Sequence, residues 1–179
     1  MSGHRHIRGR RSGFTLVELI VVLVIIGILG AIGAARFMDR RGFDTASFAE
    51  QTRAMLRFSQ KLAVAQNRPV YAQLNGSTIG LCFATTVPCP AASRVPAIGA
   101  NGGATACGTG WYCEAAPGTI AYALVPVSAT VVCFNALGQP GVVVSGACSA
   151  AAFPGVTVNI TGDGAATPVT IAAETGYVY

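Results

Sequence analysis

The stretch "RRSGFTLVELIVVLVIIGILGAIGAARF", residues 10–37, determines how the rest of this chain is interpreted. A basic leader ends at Gly13, and no residue from Leu19 to Ala35 is charged. Residues 14–35 would measure about 33 Å as a helix, enough to cross the roughly 30 Å hydrocarbon core of a bilayer. The stretch therefore predicts a leader over residues 1–13 and a transmembrane helix over residues 14–35, with a single carboxylate, Glu18, near its start.

The position of Gly13 distinguishes this segment from a secretory signal peptide. A signal peptide has an apolar region of about 7–15 residues, followed by small residues at the cleavage site. Here the small residue precedes the apolar run, so a plain N-terminal membrane anchor is the simplest alternative. Arginines in the leader favour a cytoplasmic N-terminus, and arginines beyond residue 35 weaken that assignment. They are Arg5, Arg8, Arg10 and Arg11 on one side and Arg36, Arg40 and Arg41 on the other.

The net charge of the chain depends on its leader. The sequence has 12 Lys and Arg against 7 Asp and Glu, a formal charge of +5. The leader arginines account for most of this excess, so the chain without its leader is nearly neutral. The basic isoelectric point is therefore no argument for nucleic-acid binding.

Six cysteines lie in the C-terminal two-thirds of the chain: Cys82, Cys89, Cys107, Cys113, Cys133 and Cys148. An even count outside the cytoplasm indicates disulfides, and six cysteines allow fifteen connectivities. Pairing neighbours joins 82 to 89, 107 to 113 and 133 to 148, and each pair closes a short loop. A zinc site competes with this interpretation, but there is no CxxC pair, and His4 and His6 precede Gly13. A cytosolic thiol-rich protein is the remaining alternative.

The segment "RSGFTLVELIVVLVIIGILGAIG" resembles the N-terminus of the type IV pilin superfamily, which includes the pseudopilins of type II secretion. The likeness consists of a glycine before the cut, a phenylalanine after it, a glutamate at the fifth mature position and an apolar helix. It implies that prepilin peptidase cleaves after Gly13 and N-methylates Phe14. It also implies a single-pass protein of the bacterial inner membrane with a periplasmic C-terminal domain. An inner-membrane assembly platform would add this protein to a pilus beside other pilins or pseudopilins.

The same resemblance implies an assembly role for Glu18. Its carboxylate would meet the amine of Phe14 in a neighbouring subunit and set the stagger between subunits. Such pairing offsets part of the cost of burying two charges. Two alternatives stay open. Phe14 and Glu18 are four residues apart, so they could pair within one chain, or the carboxylate could reach the lipid headgroups.

Beyond residue 35 the sequence takes on the pattern of a globular domain. Residues 36–67 continue as an amphipathic helix with an apolar stripe that includes Phe48, Met55 and Leu62, and "QNRP" (66–69) ends it. Residues 68–179 form a β-rich domain with three predicted strand pairs. These are 70–83 around Asn75-Gly76, 119–125 with 129–134, and 156–161 with 168–179. With the resemblance, the expected class is α+β: a type IV pilin fold whose long N-terminal helix packs on an antiparallel sheet with disulfide-stapled loops.

Later segments resemble a subgroup of minor pilins typified by GspH and FimT. The segments are "AMLRFSQKLAVAQNRPV" (54–70), "VVCFNALGQPG" (131–141) and the terminal "VTIAAETGYVY". Within that group the resemblance is greatest to MshC-type minor pilins of mannose-sensitive haemagglutinin (MSHA) pili, which implies a low-abundance subunit in pilus biogenesis. A GspH-like pseudopilin in protein export is the alternative. A FimT-like DNA-binding pilin for DNA uptake is the second, but the tail "ETGYVY" has no Arg or Lys.

The residues after Gly13 do not predict an enzyme. They include no histidine, and the acids Glu114, Asp163 and Glu174 are scattered along the sequence. No cofactor or metal is predicted, because Asp163 alone offers too few ligands for calcium.

Two surfaces are candidates for binding a partner. Arg53, Arg57 and Lys61 share one helix face, which would contact DNA or an acidic subunit or would simply be solvated. Nucleic acid is nevertheless not an expected partner. Exposed aromatic residues would mark a ligand-binding pilin, whereas aromatic residues buried in the sheet would not. The candidates are Trp111, Tyr112 and Tyr177.

Overall fold

The computed structural model describes residues 14–37, 40–97, 107–118, 120–151, 153–162 and 166–179. Gly13 with the rest of the leader, residues 98–106 and Asp163 lie outside the described residues. The chain divides into two compact units, residues 1–40 and residues 41–179, and each is considered by itself.

The first unit contains helix α1, Leu16–Phe37. Its sequence is almost entirely aliphatic residues, glycine and alanine, with no proline to interrupt the hydrogen-bond ladder. None of the helices in the described part of the chain combines the length and apolar character needed to cross a membrane. The transmembrane segment predicted at residues 14–35 stays a prediction.

The second unit begins with most of helix α2, Arg40–Gln66. The helix ends where "QNRP" predicts. Asn67 adopts a left-handed conformation (φ 49°), and the Arg68 N–H donates to Ala63 O while the Asn67 N–H donates to Val64 O, both at 3.2 Å. This is a Schellman cap, which satisfies carbonyls that the helix end would leave unpaired, and Pro69 then prevents continuation.

In the part of the chain that the structure describes, nine strands follow α2 and form two antiparallel sheets. They are β1 Val70–Leu74, β2 Thr78–Cys82, β3 Cys113–Ala115, β4 Ala121–Val125, β5 Val131–Phe134, β6 Pro140–Val144, β7 Ala147–Ser149, β8 Val156–Thr161 and β9 Ala166–Ile171. One sheet has the order β3-β2-β1-β5-β6-β7, and the other has the order β4-β8-β9. The predicted α+β class with an antiparallel sheet is confirmed.

Two of the three predicted strand pairs are confirmed. β1 pairs with β2 around Asn75, whose Oδ1 accepts from the Ser77 and Thr78 N–H groups at 3.0 and 2.6 Å. β8 pairs with β9. The predicted pairing of 119–125 with 129–134 is wrong, because β4 joins β8 while β5 lies between β1 and β6. Both strands exist, but β4 pairs with the distant β8, and β5 pairs with the distant β1 and with β6, the next strand along the chain.

The core lies between α2 and the sheets. The predicted stripe of α2 is buried at Phe48 and Met55 and partly buried at Leu62. α2 meets both sheets through aromatic pairs. The ring centroids of Phe48 and Tyr122 of β4 lie 6.3 Å apart. Phe58 packs edge to face on Tyr112, which lies just before β3, with ring centroids 5.1 Å apart. The helix thus bridges the two sheets, which are also joined directly, because the Tyr122 hydroxyl of β4 donates to Thr78 O of β2.

The opposite face of the six-stranded sheet carries a second buried cluster. Side chains alternate between the two faces of a strand, so Tyr71 points away from the face that Val70 and Ala72 give to the core. The cluster includes Trp111 and the disulfides. The three bonds join neighbours along the chain: Cys82–Cys89, Cys107–Cys113 and Cys133–Cys148. They fasten loops onto a sheet face that α2 leaves uncovered.

Candidate functional site

Thr15 caps the N-terminus of α1 and positions Glu18. The Glu18 N–H donates to Thr15 Oγ1, and the Leu19 N–H donates to Thr15 O, both at 3.2 Å. A threonine followed three residues later by glutamate is the capping-box pattern, in which the glutamate also returns a hydrogen bond. Only the threonine half is formed here. Among the described residues, the Glu18 carboxylate makes no hydrogen bond and no ion pair, so it is available to another molecule.

Phe14 and Glu18 border the same shallow groove on α1. The groove has a volume of about 230 Å³ and is completed by Leu19, Val22 and Leu23. The Phe14 side chain is 80% exposed. The structure therefore places Phe14 beside Glu18. This arrangement is compatible both with a pair within one chain and with a pair between subunits. The first-turn position also suits a carboxylate, because the helix dipole is positive there.

The surface of α1 around this groove is apolar on every side. From Leu16 to Leu29, each large aliphatic side chain is between 46% and 76% exposed. A helix that is apolar all round is normally covered, either by lipid or by other protein. An exposed apolar surface of this extent marks an interaction site.

The basic face of α2 is occupied within its own domain. Arg57 donates from Nε and Nη2 to Val178 O at 3.0 and 2.7 Å, and Arg53 donates from Nη2 to Pro168 O at 3.1 Å and pairs with Glu50. These two guanidiniums attach β9 and the C-terminal tail to α2. Lys61 is exposed, and no hydrogen bond or ion pair involves it within the described residues. The face formed by Arg53, Arg57 and Lys61 is therefore neither free to contact DNA nor fully solvated.

The aromatic candidates separate into buried and exposed residues. Trp111 is 8% exposed and Tyr112 is half-buried, whereas Tyr177 is 60% exposed. Tyr177 stacks on Tyr179 with ring centroids 6.1 Å apart, and Arg57 lies 5.8 Å from the Tyr177 ring. Trp111 and Tyr112 therefore fit the interpretation of aromatic residues buried in the sheet domain. Of the aromatic candidates, Tyr177 is the exposed one, and it forms a surface patch with Tyr179.

The described acids do not form a catalytic or metal-binding group. Burial raises the pKa of the Glu114 carboxyl, and burial, followed by the charge of Glu114, raises the pKa of the Tyr112 phenol. Glu174 is exposed on the tail. Within the described ranges, no group of three or more His, Cys, Asp or Glu side chains could hold a metal ion.

Two features of these surfaces were not identified from the sequence. The capping-box pattern of Thr15 and Glu18 is recognisable in the sequence, at the start of the apolar run that also predicts a membrane helix. The second feature is Arg94, whose guanidinium lies 4.6 Å from the Trp111 ring centroid. No sequence signal pairs these two residues, because the approach depends on how their loops fold back onto β2.

Residues 8–34 match the family model of the prokaryotic N-terminal methylation motif. The match includes Gly13, Phe14, the Thr15 cap and Glu18. It covers the N-terminal segment only, and no curated protein sequence matches the chain significantly.

Two solved structures are similar to the chain. Both are crystal forms of the type IV minor pilin FimU from Pseudomonas aeruginosa strain PAO1. The P2₁ form has a TM-score of 0.54 at 15% identity and covers 78% of this chain and 90% of that one. The P6₅ form has a TM-score of 0.51 at 16% identity and covers 75% of this chain and 90% of that one. At these identities the likeness concerns the fold. The chain therefore combines a type IV pilin-like fold with an N-terminal methylation motif.

Proposed function

We propose that this chain is a minor type IV pilin of the MSHA kind, which acts as a subunit in pilus biogenesis and not as an enzyme. Prepilin peptidase cleaves its leader between Gly13 and Phe14 and N-methylates Phe14. The observation that carries the proposal is the unpaired Glu18 carboxylate at the start of an exposed apolar helix, inside the methylation motif.

Before assembly, residues 14–35 anchor the chain in the inner membrane, with the N-terminus in the cytoplasm and residues 68–179 in the periplasm. The disulfide-closed loops support this placement, because disulfides persist in oxidising compartments. Assembly moves the helix from lipid into a filament. Apolar contacts with neighbouring helices then replace its contacts with lipid.

Glu18 sets the stagger between this subunit and its neighbour during that transfer. Cleavage creates a positive amine on Phe14, and a carboxylate opposite the amine offsets much of the cost of burying either charge. The pair forms between neighbouring subunits; this is supported by the exposed apolar groove that Phe14 and Glu18 border, which can receive a side chain of a second helix. The inner-membrane assembly platform and the other pilins are the required partners.

Crosslinking in the producing cell tests this proposal. We would tag the full chain, crosslink it in vivo, and identify the captured proteins and the N-terminal peptide by mass spectrometry. For the unaltered chain we expect pilus pilins and a peptide that begins at N-methylated Phe14. Glu18→Gln, which keeps the side-chain shape, should be cleaved normally but capture pilins at least about tenfold less, because a lost charge pair of 1.4 kcal/mol or more has that effect.

Glu174→Gln is the matched control, since Glu174 is an exposed acid of the globular domain and should capture pilins as the unaltered chain does. Equal capture by Glu18→Gln would contradict the role of Glu18. Capture of secretion pseudopilins and a secretin would assign the chain to type II secretion instead. An uncut leader without pilin-like partners would overturn the whole proposal.

A further inference from the structure

A cleft lies on the face of the six-stranded sheet that α2 leaves uncovered. Its volume is about 390 Å³, toward the lower end of the range typical of small-molecule sites. The side chains that matter here are Gln73, Thr78, Val87, Pro88, Arg94 and Trp111. Two disulfide-closed loops supply much of the wall, 82–89 with Val87 and Pro88 and 107–113 with Trp111. Such cross-links preorganise a site and so reduce the entropy cost of binding.

Trp111 is held rigidly at the base of this cleft. Its Nε1–H donates to Leu81 O at 2.7 Å. The ring lies directly on Gly80 of β2, where a Cβ atom would overlap it. The Arg94 guanidinium carbon lies 4.6 Å from the ring centroid, within range of a cation–π contact. The indole therefore supports the guanidinium from one side.

Among the described residues, the Arg94 guanidinium has no hydrogen-bond acceptor. Its Nε is buried and finds no hydrogen-bond partner in the ranges that the structure describes. In the described part of the chain, its guanidinium makes no hydrogen bond and no ion pair, and no carboxylate borders the cleft. Buried polar groups are normally paired, and an unpaired one calls for an explanation. A ligand anion at the exposed part of the guanidinium would supply the missing countercharge.

We propose that this cleft binds a small ligand carrying one carboxylate, with Arg94 as its anchor. A guanidinium matches a carboxylate in geometry, and a single cation compensates a single negative charge better than the double charge of a phosphate monoester. Gln73 donates from Nε2 to Thr86 O at 2.7 Å, and its Oε1 makes no hydrogen bond among the described residues, so it can accept from a ligand hydroxyl or amide. Val87 and Pro88 offer an apolar wall. This combination suits one sugar acid or one acylated amino acid.

Tryptophan fluorescence of the full chain in detergent micelles tests the proposal, because Trp111 is the only tryptophan in the sequence. Sodium glucuronate and N-acetylglycinate are the carboxylate probes, and they distinguish a sugar acid from an amino-acid source. Methyl glucoside is the neutral control, and glucose 6-phosphate tests the choice of anion. We expect saturation by at least one carboxylate probe below about 10 mM and no saturation by methyl glucoside.

Two pairs of variants assign the site. Arg94→Gln should weaken carboxylate binding at least tenfold, whereas Arg68→Gln should not, since Arg68 lies over Phe83 outside the cleft. Val87→Glu places a competing negative charge on the wall and should also weaken binding, whereas Val87→Gln should have little effect. Val87 is 57% exposed, so these two variants should fold even if Arg94→Gln does not.

A saturable carboxylate response that Val87→Glu weakens and Val87→Gln keeps, and that Arg94→Gln loses if it folds, supports the site. Unchanged binding by a folded Arg94→Gln would overturn the role of Arg94 as the anchor. Absence of saturation by both carboxylates, equal binding of methyl glucoside, or equal binding by Val87→Glu and Val87→Gln would overturn it. Tighter binding of glucose 6-phosphate than of either carboxylate would overturn the assignment of the ligand class.

Discussion

Gly80 gives Trp111 the space that the indole occupies against β2. A Cβ atom at residue 80 would overlap the six-membered part of the ring, and the ring cannot move freely because Nε1 is bonded to Leu81 O. At the scale of a single residue, one missing methyl group therefore determines how the second cluster packs and where the base of the cleft lies.

Gly80→Ala should destabilise the chain by about 1–3 kcal/mol, the usual cost of overpacking a filled site. The measurement is a denaturant midpoint followed by Trp111 fluorescence, whose emission should also shift as the ring is displaced. Gly42→Ala is the control with the opposite sign. Gly42 lies in α2 with nothing within 4 Å of its would-be Cβ, so alanine should stabilise by roughly 0.5–1 kcal/mol through helix propensity. An unchanged midpoint for Gly80→Ala would show that the ring can relocate freely.

At the scale of elements, α2 is the support on which the other segments are held. Its apolar stripe meets both sheets, and its polar edge holds β9 through Arg53 and the C-terminal tail through Arg57 and Gln60. Gln60 donates from Nε2 to Gly138 O at 2.7 Å and to Thr175 O at 3.3 Å. The tail also pairs with β9, because the Tyr179 N–H donates to Thr170 O at 3.0 Å. One edge of one helix thus fixes the β5–β6 turn and the last residues of the chain.

Arg57→Ala should cost about 1–2 kcal/mol of unfolding free energy, since it removes two hydrogen bonds from a charged donor to Val178 O. Urea unfolding measures the loss, and amide exchange at residues 177–179 should rise with it. Lys61→Ala, one turn along the same helix, is the control and should change stability by less than about 0.5 kcal/mol. Equal effects of the two substitutions would mean that the tail contact contributes nothing.

At the scale of the whole molecule, stability depends on the disulfides that link loops and strands to the six-stranded sheet. Cys133–Cys148 links β5 to β7 with a sequence separation of 15, and Cys107–Cys113 closes a separation of 6. Loop-closure entropy assigns about 3 kcal/mol to the longer link and about 2.2 kcal/mol to the shorter one. The longer link also joins strands that lie two positions apart in the same sheet.

Replacing Cys133 and Cys148 together by Ala should therefore lower the unfolding free energy by about 3 kcal/mol, and more than the matched replacement of Cys107 and Cys113. Calorimetry of the two double variants measures the difference. Reductant should lower the melting temperature of the unaltered chain further than that of either variant. A larger loss from the 107–113 pair would show that local packing at Trp111 outweighs loop length.

Patterns local in sequence predicted much of this structure. The apolar run, the "QNRP" stop and the Asn75-Gly76 turn each depend on residues within a few positions, and each appears where it was expected. The predicted partnership of residues 119–125 with 129–134 failed for the complementary reason. Both segments have strand propensity, but which strands pair is decided by packing among distant elements, here β4 with β8 and β5 with β1.

The sequence by itself determined the N-terminal motif, the placement of the helices before a β-rich domain and the number of cysteines, because spacing and composition act along the chain. The strands β3, β6 and β7 were not predicted. Only the tertiary structure decided the use of the basic face of α2 and the environment of Arg94. Arg57 satisfies a carbonyl 121 residues away, whereas Arg94 meets Trp111 but finds no acceptor among the residues that the structure describes. The reason is physical: a charged side chain takes its partner from whatever the fold brings near it, and proximity in space cannot be read from charge and position alone.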